Sequence, residues 1–458
     1  MRYHFSGIAG AGMNPLARLL AARGHAVQGS DRSFDGGKNA ELAARLRGLG
    51  ITLLSHDGSG VAASVERFVY STAVESDAPE MRRARDLGVE MVPRPALLAE
   101  IVNAGVPGVA IAGTSGKSTI TGMAAWLLRE SGVTATVIGG AALVGEGTTG
   151  GFVPGPAGGP VVAEACESDG TLVGYRPSIG LVHNISRDHG ELDWLRPQFT
   201  TFAAQCGRLF VNVACPEARA LGRAAGATTY GVAHDAAAPL EIIAVGPDRA
   251  RGRLRARGRD VALEVPQPGR HNLENGAAAA LIALELGCSA AAVEALLPLF
   301  PGVSRRFEVI GVTATGIRVV DDFAHNGEKI RAALTTAQAG AERVVAVFQP
   351  HGFGPARFLR SELKALLPRL LRARDRFCYA EVFYAGGTVA RDVTSAMLAA
   401  DLGPECGYAA DHEAVRRWVV SETRPGDTVL LMGARDPDLP RLARAVFQTL
   451  QGTAAKNA

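Results

Sequence analysis

The feature that most constrains the fold is a glycine-rich loop that connects an apolar run to a helical pattern. The apolar run begins at Val106, the loop Gly-Thr-Ser-Gly-Lys-Ser occupies residues 113–118, and the helical pattern continues from Lys117 to Glu130. Glycines let backbone N–H groups close around phosphate oxygens, and the N-terminus of a helix adds a positive dipole. The loop therefore predicts a strand, a phosphate-binding turn and a helix within an α/β domain.

Two side chains of the loop extend this interpretation. Lys117 can reach the outer phosphates of a nucleotide, and Ser118 can ligate Mg²⁺. Ile111 stands where the strict motif has its first glycine, so an ordinary glycine turn with a solvated lysine is the alternative. The strand before the loop and the helix after it favour binding of the phosphates of ATP.

The length of the chain indicates several domains. With 458 residues it exceeds what one hydrophobic core usually organises, and we expect three domains. Proline clusters near residues 105 and 298 predict boundaries that give domains 1–105, 106–298 and 299–458. Apolar strand patterns alternate with helical stretches throughout, so each domain is expected to be α/β. Predicted strands of the second and third domains lie at 161–163, 179–184, 209–213, 317–320, 343–348, 376–379 and 428–432.

Composition argues against several classes of partner. The net charge is +3 and no long block carries one sign, which argues against nucleic acid and an anionic membrane surface. The N-terminus lacks the pattern of a secretory signal, and no apolar run reaches the ~20 residues of a membrane span. The six cysteines are scattered without a C-x-x-C pair, so neither a zinc cluster nor a disulfide framework is predicted. We expect a soluble, cytoplasmic protein.

The N-terminal residues describe the first half of a Rossmann-like unit. A strand at 3–8 ends in glycines, a helical pattern covers 13–22, and a second strand at 25–29 is followed by Asp31. The loop at 7–12 has the order G-x-x-G-x-G, which differs in spacing from the dinucleotide fingerprint G-x-G-x-x-G. Two interpretations of the loop therefore stay open at this point, a nucleotide or sugar-diphosphate site and a tight structural turn. A nicotinamide oxidoreductase also stays open as a function.

Carboxylates and a histidine follow two of the predicted central strands. Glu167 comes soon after the strand at 161–163, and Asp188 and His189 follow the strand at 179–184. Parallel strands bring their carboxyl ends to one edge of a sheet, where ligands bind. Mg²⁺ is normally held by one or two carboxylates together with phosphates and water, so Glu167 is predicted as a magnesium ligand. The alternative is that these side chains are simply solvated.

Further polar clusters stand at the starts of helices or the ends of strands. Residues 269–275 introduce a helix, which suits recognition of a base or ordinary N-capping. Arg305 and Arg306 open the third domain and suit a phosphate or carboxylate clamp, or surface ion pairs. The clusters 321–326 and 349–351 each follow a predicted strand. Any one of them could be structural, but their joint placement indicates a site.

Taken in order, these motifs resemble the series found in the Mur ligases, ATP-dependent enzymes that build the peptide of peptidoglycan. The motifs are GIAGAGM, GSD, AGTSGKST, AEACESD, NISRDH, GRHNLEN, RRF, DDFAH and FQPH, and they span the chain from Gly7 to about Asp436. Their agreement in order and spacing is more specific than any one motif. Within the family the chain is most similar to the branch that joins L-alanine to UDP-N-acetylmuramate.

The resemblance implies a site for each of three substrates. The UDP-sugar would bind the first domain, ATP and Mg²⁺ the second, and the amino acid the third, which would close over both. The implied substrate-binding residues are Gly10, Gly12, Met13, Ser30, Asp31, Ser71 and His351. The implied ATP-binding residues are Gly113, Thr114, Ser115, Gly116, Lys117, Ser118, Thr119, His271, Asn272, Asn275, Arg306 and Asp322. The implied magnesium ligands are Ser118, Glu167 and His189, and the implied catalytic residues are Lys117, Glu167, His189 and His325.

The resemblance also implies a reaction. ATP would phosphorylate the carboxylate of UDP-N-acetylmuramate, and the amine of L-alanine or another small amino acid would displace phosphate from the acyl phosphate, with His325 as a candidate proton acceptor. Within the same class, the alternatives are a recycling ligase that adds a tripeptide to this sugar and a Mur-like ligase with another acceptor. From other classes, they are a nicotinamide oxidoreductase and a non-catalytic nucleotide-binding scaffold. A monomer or homodimer is expected.

The chain departs from the family pattern at several positions. The phosphate loop reads GTSGKS where GTHGKT is usual, and Cys166 replaces an aspartate. In the third domain His325-Asn326-Gly327 replaces HHP, residues 352–354 replace an arginine–aromatic pair, and Arg435 stands where glycine is usual. These departures leave the ATP-binding residues mostly in place and concentrate in the expected amino-acid pocket.

Overall fold

Three β-sheets form within the described residues of the computed structural model, which are 1–71, 74–146, 150–168, 170–186, 191–384 and 390–456. The chain divides into two compact units, Met1–Val303 and Ser304–Ala458. The first unit holds two of the sheets, and the second unit holds the third. Helices accompany each sheet, so the predicted α/β class is confirmed. No helix among the described residues is long and apolar enough to cross a membrane.

The first sheet has the Rossmann-like arrangement that the N-terminal pattern predicts. Its strands are β1 (Arg2–Ser6), β2 (Ala26–Ser30), β3 (Thr52–Leu54), β4 (Arg67–Tyr70) and β5 (Glu90–Pro93). The strand order is β3-β2-β1-β4-β5, and all neighbours are parallel. The helices are α1 (Met13–Ala22), α2 (Arg32–Asp35), α3 (Ala40–Gly48), α4 (Pro79–Asp86) and α5 (Arg94–Asn103). The order in which successive strands are added to the sheet reverses between β1 and β4, and open α/β sheets bind ligands at such a point.

The second sheet is a parallel core with antiparallel strands at both ends. Its strands are β6 (Gly108–Ala112), β7 (Thr136–Gly139), β8 (Gly151–Val153), β9 (Val161–Ala165), β10 (Ile179–Val182), β11 (Arg208–Asn212), β12 (Thr228–Gly231), β13 (Ala238–Val245), β14 (Ala250–Ala256) and β15 (Arg259–Val265). The order is β15-β14-β13-β12-β11-β10-β6-β9-β7-β8. The α-helices are α6 (Lys117–Glu130), α7 (Leu192–Gln205), α8 (Pro216–Ala225), α9 (Arg270–Glu285) and α10 (Ala290–Leu296), and short 3₁₀ helices cover Thr171–Gly174 and Leu297–Leu299.

The two sheets of the first unit share one hydrophobic core. Leu98 and Ile101 of α5 belong to the same buried cluster as Ala110 of β6 and Ala163 of β9. This packing explains why residues 1–303 form one compact unit although they carry two sheets. The predicted division of this unit at residue 105 stays a prediction.

The third sheet forms the second unit. Its strands are β16 (Glu308–Val312), β17 (Arg318–Asp322), β18 (Val344–Gln349), β19 (Arg376–Ala380), β20 (Cys406–Ala409) and β21 (Thr428–Gly433). The order is β16-β17-β21-β18-β19-β20, and β16 is the antiparallel edge strand. The helices are α11 (Gly327–Ala339), α12 (Phe353–Leu370), α13 (Ser395–Leu402), α14 (His412–Glu422) and α15 (Leu439–Lys456). The inner strands β18 and β21 are buried along their whole length because helices cover both faces of a largely parallel sheet.

Candidate nucleotide and substrate site

The glycine-rich loop lies between β6 and α6, as its sequence predicts. Gly113 has a φ of +142° and Gly116 a φ of +86°, which L side chains rarely adopt. A Cβ atom on Gly116 would lie 2.6 Å from Oδ1 of Asn275. Glycine is therefore required at 116 both by the backbone conformation and by the close approach of α9. The strand–loop–helix prediction is confirmed.

The segment that follows β10 holds the loop in place. The Thr114 amide donates to the backbone oxygen of Asn184 at 3.0 Å, and the Ser115 amide donates to Oδ1 of the same residue at 2.8 Å. The Ser186 amide in turn donates to Oγ1 of Thr114 at 2.9 Å. Asn184 and Ser186 of the NISRDH motif thus have a structural role that the sequence did not indicate, which is to hold the phosphate loop in one conformation.

Lys117 is held over the loop by an ion pair with Glu167. Its Nζ donates to Oε2 of Glu167 at 2.8 Å and also to the backbone oxygen of Gly113. Burial lowers the pKa of Lys117, but the charge of Glu167, its hydrogen bond with Lys117 and the charge of Glu164 outweigh burial, and the net pKa is raised. The ammonium is therefore charged at neutral pH and lies over the loop that is predicted to bind phosphate.

The oxygens beside Lys117 fit a magnesium ion. Oε1 of Glu167 is buried and has no hydrogen-bond partner among the described residues, and the Ser118 hydroxyl lies 3.1 Å from Oε2 of Glu164. Hard oxygen ligands of this kind suit Mg²⁺, which keeps several waters and phosphate ligands. The described residues contain no group of three or more His, Cys, Asp or Glu side chains that could hold a metal by themselves, so phosphate and water would have to complete the coordination of Mg²⁺. His189, the third predicted ligand, lies outside the described residues.

The predicted base-recognition residues start α9. The Asn275 side-chain amide donates to Oδ1 of Asn272 at 3.2 Å, and the Asn272 side-chain amide donates to the backbone oxygen of Pro268 at 2.8 Å. Oδ1 of Asn275 is buried without a hydrogen-bond partner in the described part of the chain. Burial lowers the pKa of His271, which favours a neutral ring. Asn275 lies close to Gly116 of the phosphate loop, and the contact of these side chains with a base stays a prediction.

His183 is a buried residue beside the loop to which the sequence analysis assigned no role. Its Nδ1 lies 2.8 Å from the hydroxyl of Tyr230, and its Cδ2 lies 3.1 Å from the position of a Cβ on Gly116. Burial lowers the pKa of His183 to about 4, so the ring is neutral near pH 7. It supports the loop without adding a charge that would attract or repel phosphate.

The N-terminal glycine loop is anchored by the residues that follow β2. The Gly7 amide donates to the Ser30 oxygen at 2.9 Å, and the Ala9 amide donates to Oδ2 of Asp31 at 2.9 Å. Oδ1 of Asp31 caps α2 by accepting from the Ser33 amide at 2.9 Å. Asp31 therefore holds this loop. Oδ1 also accepts from the Ser33 hydroxyl at 2.7 Å, so Oδ2 is the oxygen with lone-pair capacity left for a ribose hydroxyl.

Ser30 belongs to a buried polar network that the sequence analysis missed. Its hydroxyl donates to Glu80, which is fully buried and also accepts from Oγ of Ser6 at 2.6 Å. Glu80 lies 3.1 Å from Nε2 of His4 and 3.0 Å from Nδ1 of His56. Ser30 thus holds the glycine loop through its backbone oxygen, while its side chain is used in the buried network. It does not line the cavity described next. Its predicted contact with the substrate stays a prediction.

A cavity of about 460 Å³ extends from the N-terminal glycine loop to the phosphate-loop side of the second sheet. Its size suits a small-molecule ligand, for which pockets of ~300–1,000 Å³ are usual. Five predicted substrate residues line it, namely Gly10, Gly12, Met13, Asp31 and Ser71. Arg94, Glu164 and Cys166 line it as well and were not predicted in this role. Arg94 belongs to no local motif and reaches the cavity only through packing, whereas Glu164 and Cys166 belong to the AEACESD motif.

The predicted residues of the second unit meet at the carboxyl ends of β17 and β18. The rings of His325 and His351 contact edge to face with centroids 5.2 Å apart. Oδ2 of Asp322 accepts from the Phe307 amide at 2.7 Å. Burial, with the charges of Arg435 and Lys329, lowers the pKa of His351 to about 4.

The two arginines that open this unit differ in their surroundings. Arg305 is buried and donates to the backbone oxygens of Gly433 at 2.7 Å and Ala434 at 2.9 Å, so it is used inside the protein. The guanidinium of Arg306 lies over the ring of Phe323, 5.0 Å from its centroid. The proposed clamp therefore reduces to Arg306, whose contact with ATP stays a prediction.

Three family models match the chain. The model described as the Mur ligase family catalytic domain matches residues 2–105, and the Mur ligase middle domain matches residues 111–283. The Mur ligase glutamate ligase domain matches residues 305–435. The matches cover all three sheets, in the order that the motifs predict.

Individual relatives support the same assignment. A UDP-N-acetylmuramate–L-alanine ligase of Halorhodospira halophila (strain DSM 244 / SL1) is 34% identical over 455 residues, covering 94% of this chain and 90% of the relative. A ligase of the same name from Arthrobacter sp. (strain FB24) is 37% identical over 452 residues, covering 93% and 90%. The crystal structure of UDP-N-acetylmuramate–alanine ligase from Thermotoga maritima is 26% identical with a TM-score of 0.79, covering 99% of this chain and 100% of that one. The chain belongs to the Mur ligase family.

Proposed function

We propose that this protein is an ATP-dependent ligase that joins L-alanine to UDP-N-acetylmuramate in the synthesis of peptidoglycan precursors. The observation that carries the proposal is the cavity that starts at the N-terminal glycine loop and reaches Glu164 and Cys166 beside the phosphate loop. A UDP-sugar lying in it would bring its carboxylate towards ATP. Relatives at 34% and 37% identity that bear this ligase name support the choice of substrates.

The chemistry explains why both sites are needed. A carboxylate is a poor electrophile, so the γ-phosphoryl group of ATP is first transferred to a carboxylate oxygen, giving an acyl phosphate and ADP. The neutral amine of the amino acid then attacks the carbonyl carbon, and the tetrahedral intermediate expels phosphate as the C–N bond forms. The amine loses a proton in this step, and His325 stays the candidate to accept it. Atoms and charge balance without a covalent bond to the enzyme.

The phosphate loop supplies the charge stabilisation that phosphoryl transfer requires. Lys117 is charged and held rigidly by Glu167, so it can offset charge on the transferring group without reorganisation. Ser118 and Glu167 would hold Mg²⁺, which supplies neutralisation of phosphate charge when it is bound. The Asn184 contacts keep the loop amides oriented before ATP arrives. Consumption of ATP favours a cytoplasmic location, and we expect a monomer or homodimer.

The acceptor amine is the least constrained part of the proposal. The L-alanine ligases among the relatives favour alanine, whereas residues 352–354 depart from the family pattern in the expected amino-acid pocket. A tripeptide acceptor, as in a recycling ligase, is therefore the second outcome to test. Because the chain belongs to the Mur ligase family, a ligase is favoured over a nicotinamide oxidoreductase and over a non-catalytic nucleotide-binding scaffold.

Phosphate release tests the proposal directly. The full chain is assayed with ATP, Mg²⁺ and UDP-N-acetylmuramate against single amino acids and against the tripeptide, and the amide product is identified by mass spectrometry. We expect release that depends on the UDP-sugar and is fastest with L-alanine. Faster turnover with the tripeptide would identify the tripeptide, instead of L-alanine, as the acceptor. Failure of every acceptor, with ATP and the UDP-sugar both shown to bind, would refute both assignments.

A further inference from the structure

Two residues near the start of the second unit have backbone conformations that L side chains rarely adopt. Arg305 has a φ of +60° and Phe307 a φ of +51°, and Arg306 lies between them. The left-handed region costs free energy for residues other than glycine, so such a conformation persists only where the surrounding structure enforces it. Strained residues of this kind cluster at functional sites. The contacts that enforce the strain therefore bear on the role of Arg306.

The side chain of Arg305 joins this segment to the carboxyl end of β21. Its Nε donates to Oδ2 of Asp321 at 3.2 Å, and its two terminal nitrogens donate to the backbone oxygens of Gly433 and Ala434 at 2.7 and 2.9 Å. Both partners of the ion pair are buried, with exposed fractions of 6% for Arg305 and 0% for Asp321. Each guanidinium nitrogen thus has an acceptor inside the protein, which suits Arg305 to holding structure.

Three further hydrogen bonds fix the backbone of the strained residues. The Arg305 amide donates to Oε2 of the buried Glu308 at 2.9 Å, and the Phe307 amide donates to Oδ2 of Asp322 at 2.7 Å. The Phe323 amide donates to the backbone oxygen of Arg305 at 2.8 Å. Residues of β16 and β17 and the residue after β17 therefore hold the segment at both of its strained positions.

The side chain of Arg306 is also placed by this arrangement. Its guanidinium lies over the ring of Phe323, 5.0 Å from the centroid, and the guanidinium of Arg305 lies 5.1 Å from the same centroid. Arg306 is half-buried, whereas Arg305 is buried. Because an arginine side chain has several rotatable bonds, fixing its backbone and stacking its guanidinium removes many alternative positions before a ligand binds.

We infer that Arg305 is a positioning residue for ligation, which with Asp321 forms a buried clamp that holds residues 305–307 and so presents Arg306, the arginine predicted to contact ATP. The inference rests on the proposed function. Charge that is already oriented stabilises a transferring phosphoryl group without reorganisation during the reaction. Loss of the Arg305–Asp321 clamp should therefore lower kcat through the displacement of Arg306.

The test removes both charges of the clamp at once, because the loss of one partner would leave the other buried and unpaired and would destabilise the fold. The clamp variant carries Arg305→Met and Asp321→Asn together. Phosphate release with the preferred acceptor should show kcat lowered about ten- to hundredfold, the range expected when a reacting group is displaced by ~1 Å. The Kd for UDP, measured by calorimetry, should stay unchanged because the cavity proposed for UDP lies in the first unit.

The other end of β21 offers a matched control. Arg343 donates to Oδ2 of Asp427 at 2.7 Å and to the backbone oxygens of Arg374 and Glu422, and both members of this ion pair are buried. The pair lies at the amino ends of β18 and β21, away from the predicted site residues. Arg343→Met with Asp427→Asn should lose similar stability in denaturant unfolding and keep the kcat of the wild type. Equal losses of kcat in the two double variants would overturn the inference.

Combining the clamp variant with Arg306→Gln shows whether the clamp acts through Arg306. Arg306→Gln alone already removes the group that the clamp positions, so the combined variant should be no slower than Arg306→Gln. Multiplied losses of kcat, or full activity of either the clamp variant or Arg306→Gln, would overturn the inference and leave the ligase assignment intact. A wild-type chain that turns over no acceptor would overturn both the proposed function and the inference.

Discussion

Lys117 and Glu167 form a buried ion pair in which only the lysine is fully satisfied. Lys117 donates to the carboxylate and to the Gly113 oxygen, whereas Oε1 of Glu167 has no hydrogen-bond partner in the described residues. Burying a charge is costly unless its hydrogen bonds are complete, so such a pair adds little to stability by itself. An incompletely bonded carboxylate beside a phosphate loop is what a cation site requires.

Lys117→Ala should abolish ligation while UDP binding persists. Loss of the ammonium removes stabilisation of the transferring phosphoryl group, and we expect kcat to fall by at least about a thousandfold. The cavity proposed to bind the UDP-sugar is lined by other residues, so the Kd for UDP should stay near that of the wild type. Phosphate release and calorimetry measure the two effects.

The control is Lys364→Ala, which removes an exposed lysine that pairs with Asp401 in the second unit. It should retain activity. Undiminished ATP turnover in Lys117→Ala would show that this lysine has no role in phosphoryl transfer.

Glu80 makes the stability of the first unit depend on pH. Burial raises its pKa, but hydrogen bonds from His4, His56 and Ser30 outweigh burial and hold the pKa of Glu80 well below its usual range. The contact with Glu80 raises the pKa of His56. The Glu80 contribution is lost as pH falls below ~4.3, and the His56 contribution is lost as pH rises above ~6.5, the unfolded values. The network therefore stabilises most between these limits.

Glu80→Gln should remove this dependence. Replacing one member of a buried charged network costs about 3–5 kcal/mol, and the loss should be larger at pH 5.5 than at pH 8, where wild-type His56 already contributes less. Denaturant unfolding of the first unit at both pH values measures it. Glu66→Gln, at an exposed carboxylate, should change stability by less than about 0.5 kcal/mol. Equal losses at both pH values would contradict the linkage.

At the scale of elements, local patterns predicted the helices that start at glycine loops. The structure has α1 at Met13–Ala22 and α6 at Lys117–Glu130, with the bounds read from apolar periodicity and the loop motif. The hairpins of β13, β14 and β15 were missed. In β14 exposed arginines alternate with the buried Ala250, Gly252, Leu254 and Ala256, and only Leu254 among these has a large apolar side chain, so the apolar signal is weak.

Gly116→Ala should damage the phosphate loop specifically. The substitution strains a positive φ and brings Cβ to 2.6 Å from Oδ1 of Asn275, so the loop or α9 must shift. We expect the Kd for an ATP analogue to rise at least about tenfold, because phosphate contacts depend on the loop amides. Calorimetry measures it.

Gly132→Ala is matched to this change, since Gly132 also has a positive φ, +76°, but open space around it. Gly132→Ala should lose about 1 kcal/mol of stability and Gly116→Ala more, because of its contact with Asn275, and only Gly116→Ala should lose ATP affinity. Similar ATP affinities in the two variants would show that the contact with α9 does not matter.

At the scale of the whole molecule, the cavity belongs to one compact unit. Its lining comes from both sheets of residues 1–303, which share a hydrophobic core. UDP should therefore slow amide hydrogen exchange at residues 7–12 and 94–98 and leave the sheet of the second unit unchanged. Exchange followed by mass spectrometry checks this. Equal protection of the second unit by UDP would contradict the assignment of the UDP site to the first.

The sequence by itself determined the α/β class, the phosphate loop and the family. These follow from glycine positions, apolar runs and motif order, which are local or sequential properties. Only the tertiary structure decided which polar side chains reach the cavity. Ser30 is directed into a buried network by Glu80, whereas Arg94 comes to Gly12 from a distant helix. Such contacts depend on how elements far apart in the chain pack, and no local pattern records them.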